Sequence, residues 1–165
     1  MTFLHPDQDA LGAGWNITQA KIALGSGGVM GKGLLLGTQS RLNFLPEKET
    51  DFIFTIVGEE LGFLGTIALL ILFSMVLFRG IQIAMASRSH FGRLLAIGVT
   101  INLFCYVFIN MAMVMGLLPV VGVPLPLISY GGTAMLTVLF GFGLLMCVYV
   151  HRDLKIGQRG LGDDN

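Results

Sequence analysis

The sequence predicts an all-α polytopic membrane protein, with three transmembrane helices following a long extracellular loop that carries short amphipathic helices. Three observations predict it. Hydrophobic residues fill 54% of the 165 positions, and a mean hydropathy of +0.79 is too apolar for a soluble domain. Charged residues make up only 12%, which leaves long stretches with none. Those stretches recur three times, each near the length a bilayer core requires. The net charge is zero and no basic stripe is present, which argues against nucleic acid as a partner.

The first 14 residues are polar, contain Pro6 and read as loop, without the basic start and apolar core of a secretory signal. Trp15 to Leu24 suits a short amphipathic helix with Trp15 as interfacial anchor. Next comes Gly25-Ser-Gly-Gly-Val-Met-Gly-Lys-Gly33, which resembles a phosphate loop but departs from it at both ends. Ser26 stands where the first glycine belongs, and Gly33 where Ser or Thr belongs. A sharply turning loop explains it, as do backbone amides and Lys32 set near a lipid diphosphate.

The first apolar segment covers about 52–78, and its charge-free part, Leu61–Phe78, would span about 27 Å as a helix. The second covers about 94–118, interrupted by Asn102 and Asn110, and the third about 133–150. Cys105 and Cys147 lie inside apolar runs and read as small buried hydrophobes. The chain thus divides into an external loop, 1–51, and a helical part, 52–165, ending in a cytoplasmic tail.

Orientation follows from basic residues. Arg79, Arg88 and Arg93 follow the first helix, Arg152, Lys155 and Arg159 follow the third, and none lies between the second and third. The 79–93 loop and the C-terminal tail are therefore expected in the cytoplasm, and the N-terminal and 119–132 loops outside. An external N-terminal loop with no export signal fits the C-terminal part of a larger polytopic chain.

The chemistry concentrates where the loop meets the first helix. Five of the ten carboxylates lie between Glu47 and Glu60. A charge cluster at the mouth of a membrane helix is costly to bury and marks a candidate site. Asp51, Thr55, Gly58, Gly62, Gly65 and Thr66 share one helical face of mostly small residues, which suits packing against protein. Asp51 is then a candidate catalytic acid or base. Thr50 or Asp51 could equally serve as a plain helix N-cap. Glu59 and Glu60 fit either a membrane-edge pair or a binding role. In Leu118 to Gly132, Pro119, Pro124 and Pro126 preclude a helix. An apolar, non-helical stretch at membrane depth must pack in protein or line a cavity, and this one offers Ser129, Tyr130 and glycine amides to such a cavity. The three histidines are scattered, without metal-ligand spacing.

At these residues the sequence resembles the SEDS family (RodA/FtsW/SpoVE), most closely its RodA branch. The shared stretches are Gly25–Gly33, Gly37-Thr-Gln-Ser40, Leu45-Pro-Glu47, Thr50-Asp-Phe-Ile-Phe54, Gly58-Glu-Glu-Leu-Gly62, Pro119–Pro126 and Ile128-Ser-Tyr-Gly-Gly132. The resemblance covers about Asp9 to Arg152. It implies a fold of about ten helices, of which the first six or seven are not in this chain. It also implies a peptidoglycan glycosyltransferase of the bacterial cytoplasmic membrane that polymerises lipid II during elongation. The implied partners are a class B penicillin-binding protein, other membrane proteins of the elongation complex and membrane lipids. A divalent ion, Mg or Mn, is implied with no defined ligand pattern. The family's essential aspartate falls on Asp51. Lys32, Arg41 and Lys48 are candidate phosphate contacts by charge and proximity, and Gln39 and Ser129 candidate substrate contacts. A lipid II flippase and a non-catalytic scaffold are the competing functions.

Overall fold

In the computed structural model, residues 13–33 and 51–153 are described; these contain no strand and four helices. α1 spans Ala13–Ser26, α2 Ile53–Ala86, α3 His90–Val114 and α4 Gly132–Val150. The last three are long and apolar enough to cross a membrane. Residues 1–12 and 34–50, more than half of the expected external loop and including Gln39, Arg41 and Lys48, lie outside the described residues, as do Lys155 and Arg159.

The helices differ in extent from the apolar segments. α2 continues to Ala86, past the expected end near Phe78, and α3 begins at His90 rather than at Leu94. The connector shrinks to Ser87, Arg88 and Ser89. Hydropathy locates the bilayer, whereas backbone hydrogen bonding decides where a helix stops. Arg79 and Gln82 can stay helical on an exposed face, where their side chains bond each other at 3.3 Å.

α2 is broken once. Gly62 has φ 66 and ψ −161, a conformation that L side chains strongly disfavour. The break leaves backbone groups without helical partners, a serious cost beside hydrocarbon. The loop after α1 supplies partners for them. Lys32 N–H donates to Glu59 O at 3.1 Å and Gly33 N–H to Glu60 O at 3.0 Å. Beyond the break, Phe63 and Leu64 N–H donate to Gly28 O and Val29 O at 3.0 and 3.3 Å. The glycine-rich stretch that resembles a phosphate loop is therefore a plug in a discontinuous helix. Its glycines are required by contact: a Cβ on Gly31 would collide with Glu60 O, and one on Gly27 with Gly58 O.

From Phe63 to Ala86 the helix is about 36 Å long, enough for a bilayer by itself. Asp51 through Leu61 forms a separate outer piece. α2 packs on α3, α3 on α4, and α1 on the outer piece of α2. Gly80 lets Thr100 of α3 approach, and Gly141 lies against Val99. Two apolar clusters result. One, near the outer piece, joins Ala20, Phe52, Phe54, Val107, Met111, Met113, Val114 and Leu125. The other, at the α2–α3 turn, joins Ala84, Ala96, Leu145 and Val148. Cys105 and Cys147 are free and lie on exposed faces of α3 and α4, inside the two apolar spans.

Candidate functional site

Asp51 precedes α2 by two residues and is buried, with 6% of its surface exposed. The helix N-cap is Phe52, and no side chain caps it. The capping role considered for Asp51 therefore belongs to its neighbour's position. The expected small-residue face is buried from Asp51 through Thr55 and Gly58 to Gly62. Leu24 of α1 packs where Gly58 lacks a side chain.

The opposite wall comes from the proline loop between α3 and α4. Gly122, with φ +74, turns its Cα toward Asp51; a Cβ there would lie 3.2 Å from Asp51 Oδ2. Asn110, in the last turns of α3 and fully buried, joins the two segments. Its Nδ2 donates to Asp51 O at 3.0 Å and to Val123 O at 2.7 Å. Leu125 is buried in the core cluster shared with α1 and Phe52. Leu125 and Pro126 thus anchor the loop in protein, while Val121, Leu127 and Tyr130 are exposed.

The other sequence candidates fall in different places. Lys32 Nζ bonds Glu59 Oε1 at 2.8 Å, and Glu59 is 1% exposed. The structure thus sets Lys32 on a buried carboxylate beside the helix break. Glu59 is neither a free membrane-edge charge nor open to solvent, and Glu60 is half-buried. Ser129 Oγ accepts from Leu125 N–H at 2.7 Å, and Ser129 N–H donates to Leu125 O at 3.0 Å, closing a turn within the proline loop. Asp51 and the proline loop are brought together; Lys32 joins the outer piece through Glu59.

Sequence reading missed Asn110, legible only as a polar interruption in an apolar run. It singled out Glu59 but not its pairing with Lys32. Among the described residues, Thr55 Oγ1 and Asn110 Oδ1 are buried with no hydrogen-bond partner, so this region holds unused polar capacity next to Asp51. No group of three His, Cys, Asp or Glu side chains among the described residues could hold a metal. A cavity of about 340 Å³ opens at the α2–α3 turn, lined by Ser87, Phe91, Leu95, Cys147, Val148 and His151. It lies at the other end of α3 from Asn110 and carries no carboxylate.

Residues 1–154 match the model of the FtsW/RodA/SpoVE cell cycle protein family. Over 154 residues the chain is 53% identical to the peptidoglycan glycosyltransferase MrdB of Escherichia coli K12, covering 93% of this chain and 42% of that protein. It is 46% identical to a probable peptidoglycan glycosyltransferase FtsW of Trichlorobacter lovleyi, covering 87% and 38%. The chain therefore spans about two fifths of the length of these relatives. A solved structure on the coordination of polymerization and crosslinking by a peptidoglycan synthase complex superposes with a TM-score of 0.72 at 30% identity. It covers 92% of this chain and 40% of that one. A mutant of the Thermus thermophilus rod shape determining protein RodA superposes with a TM-score of 0.64 at 34% identity, covering 81% and 41%.

Proposed function

The chain belongs to the FtsW/RodA/SpoVE family of cell cycle proteins, and from that membership we propose that it supplies the Asp51 centre of a peptidoglycan glycosyltransferase acting on lipid II. The single observation that carries this reading is the buried Asp51 carboxylate at the mouth of α2, held against the backbone of the proline loop. Its position at the mouth of the first spanning helix, ahead of the charge-free stretch, supports a centre at the level of lipid headgroups. The basic-residue pattern favours the outer face of the bacterial cytoplasmic membrane, with the C-terminus inside.

Polymerisation joins a sugar hydroxyl to an anomeric carbon that carries a lipid-linked diphosphate. The hydroxyl oxygen forms the new C–O bond, the bond to the diphosphate breaks, and the diphosphate leaves with the electron pair. A hydroxyl is a weak nucleophile near neutral pH. Asp51 takes its proton as the bond forms, a role for which a carboxylate within hydrogen-bond reach suffices. Burial limits water around the carboxylate, with Gly122 on the side of its Oδ2. Arg41 and Lys48 remain the candidates to face the diphosphate. Lys32 is less suited, because its ammonium already meets Glu59.

The donor set bears on the divalent ion that the family implies. Such ions are commonly held by one or two carboxylates together with substrate phosphates. Asp51 fits that pattern as the single protein carboxylate, with the unused oxygens of Thr55 and Asn110 in the same region. When bound, the ion would neutralise charge on the departing diphosphate. A class B penicillin-binding protein and membrane proteins of the elongation complex are the partners this reading predicts.

The test is strand synthesis from lipid II by the purified full-length protein. Asp51→Asn keeps the size of the side chain but cannot accept a proton. It should lose about 10²–10⁴-fold in rate while the protein stays folded and in the membrane. Strands of normal length and rate from this variant would remove Asp51 from the chemistry. A flippase or scaffold would make no polymer in this assay even as wild type.

A further inference from the structure

We propose that Asn110 is the positioning residue of the Asp51 centre: one buried amide sets the distance between the aspartate and the proline loop. The inference rests on the reading of Asp51 as the base.

The geometry is unusually determinate for an asparagine. Both acceptors of Nδ2 are backbone carbonyls, at 3.0 and 2.7 Å, so the nitrogen end of the amide must face them. The carbonyls belong to segments 59 and 13 residues away in the chain. Neither segment is helical at that point, and in the loop Pro119, Pro124 and Pro126 have no N–H to offer a ladder. The two segments therefore depend on a partner from elsewhere, and the end of α3 provides it. The consequence reaches the carboxylate through Gly122. This residue adjoins Val123, and its position for a side chain is 3.2 Å from Asp51 Oδ2. Holding Val123 O holds Gly122 against the carboxylate, while holding Asp51 O fixes the aspartate backbone. Asn110 is fully buried and so is its bond to Asp51 O, which keeps water from substituting there; the bond to Val123 O is part-buried. A base misplaced by about 1 Å can lose on the order of 10²-fold in rate, so a residue that never touches substrate can govern turnover here.

The experiment uses the full-length protein with its crosslinking partner, with lipid II in vesicles as substrate. Asn110→Leu keeps the approximate volume and removes both donors. It should lower kcat about 10²-fold and leave the KM for lipid II within about threefold. Gly122→Ala presses a methyl group toward Asp51 Oδ2 from the surface loop and should lower kcat about tenfold or more. Val107→Ala, in the same core one turn back along α3, is the stability control. At a matched fall in melting temperature, it should keep kcat within about threefold.

A kcat for Asn110→Leu within threefold of wild type overturns the proposal. So does a Val107→Ala variant that loses as much activity at the same melting temperature. If Asn110→Leu fails to fold, unchanged turnover in Gly122→Ala overturns it instead. The underlying reading fails separately: an active Asp51→Asn removes the base, whereas an inactive Asp51→Asn beside an active Asn110→Leu removes only the positioning role.

Discussion

Glu59 and Lys32 form an ion pair beside the break in α2. Glu59 is 1% exposed, and its Oε1 meets the Lys32 ammonium at 2.8 Å. Burying a pair of charges contributes little net stability, but removing one partner leaves the other uncompensated. Lys32 keeps 29% of its side-chain surface exposed, which softens the penalty. Glu59→Gln should therefore destabilise by roughly 1–3 kcal/mol. Lys32→Met, which takes the ammonium away from the more deeply buried charge, should cost more. Thermal unfolding of the detergent-solubilised full-length protein would check the order, and equal stability of both variants with wild type would refute the pair's role. Little of this was legible beforehand. Two adjacent carboxylates at a helix mouth marked the place, but their different fates depend on which one points toward a loop 27 residues earlier.

At the scale of elements, the broken helix and its plug form one unit. Four backbone hydrogen bonds from residues 28–33 replace those that α2 forgoes at Gly62. The glycines of the plug are then unequal, and an alanine series separates them. Gly25 ends α1 with open space around it, so Gly25→Ala should be neutral or slightly stabilising. Gly28 has φ +56, but a Cβ there would meet nothing within 4 Å, so Gly28→Ala should cost about 1 kcal/mol from conformation alone. Gly31 combines φ +78 with a collision against Glu60 O, and Gly31→Ala should cost roughly 2–4 kcal/mol. Melting temperatures of the three variants give the ranking, and a Gly31→Ala protein as stable as Gly28→Ala would argue against the plug. The run of glycines was visible in the sequence as a sharp turn. Its partner was not, because nothing in Gly58-Glu-Glu-Leu-Gly62 announces a break.

For the whole molecule, the decisive feature is how much apolar surface the three long helices leave outward. Leu64, Ile71, Leu72, Met75 and Phe78 of α2, Ile101, Phe104 and Phe108 of α3, and Leu136 and Phe140 of α4 are all exposed. Helices apolar all round need lipid or further helices around them. The described turn ends carry charge: Arg88 N–H donates to Arg152 O at 3.0 Å, tying the α2–α3 turn to the end of α4. The exposed Arg88–Asp153 pair at 3.8 Å adds little. If this end faces the cytoplasm, as the basic-residue pattern favours, a cysteine introduced by Gln39→Cys should react with a membrane-impermeant thiol reagent in intact cells. One introduced by Arg88→Cys should not. Both are to be made after replacing Cys105 and Cys147, and reversed labelling would invert the assigned orientation.

The sequence by itself determined the class of molecule, the three spans and the neighbourhood of the candidate site. Each of these depends on contiguous residues: apolar length, prolines that forbid helix, and a local excess of carboxylates before a charge-free run. Only the tertiary structure decided which polar groups meet. Asn110 reaches Asp51 and Val123, Lys32 reaches Glu59, and the glycine loop enters α2 at Gly62. Such pairings depend on the path of the whole chain, since a buried donor takes the acceptor that packing brings within about 3 Å, whatever its distance in sequence.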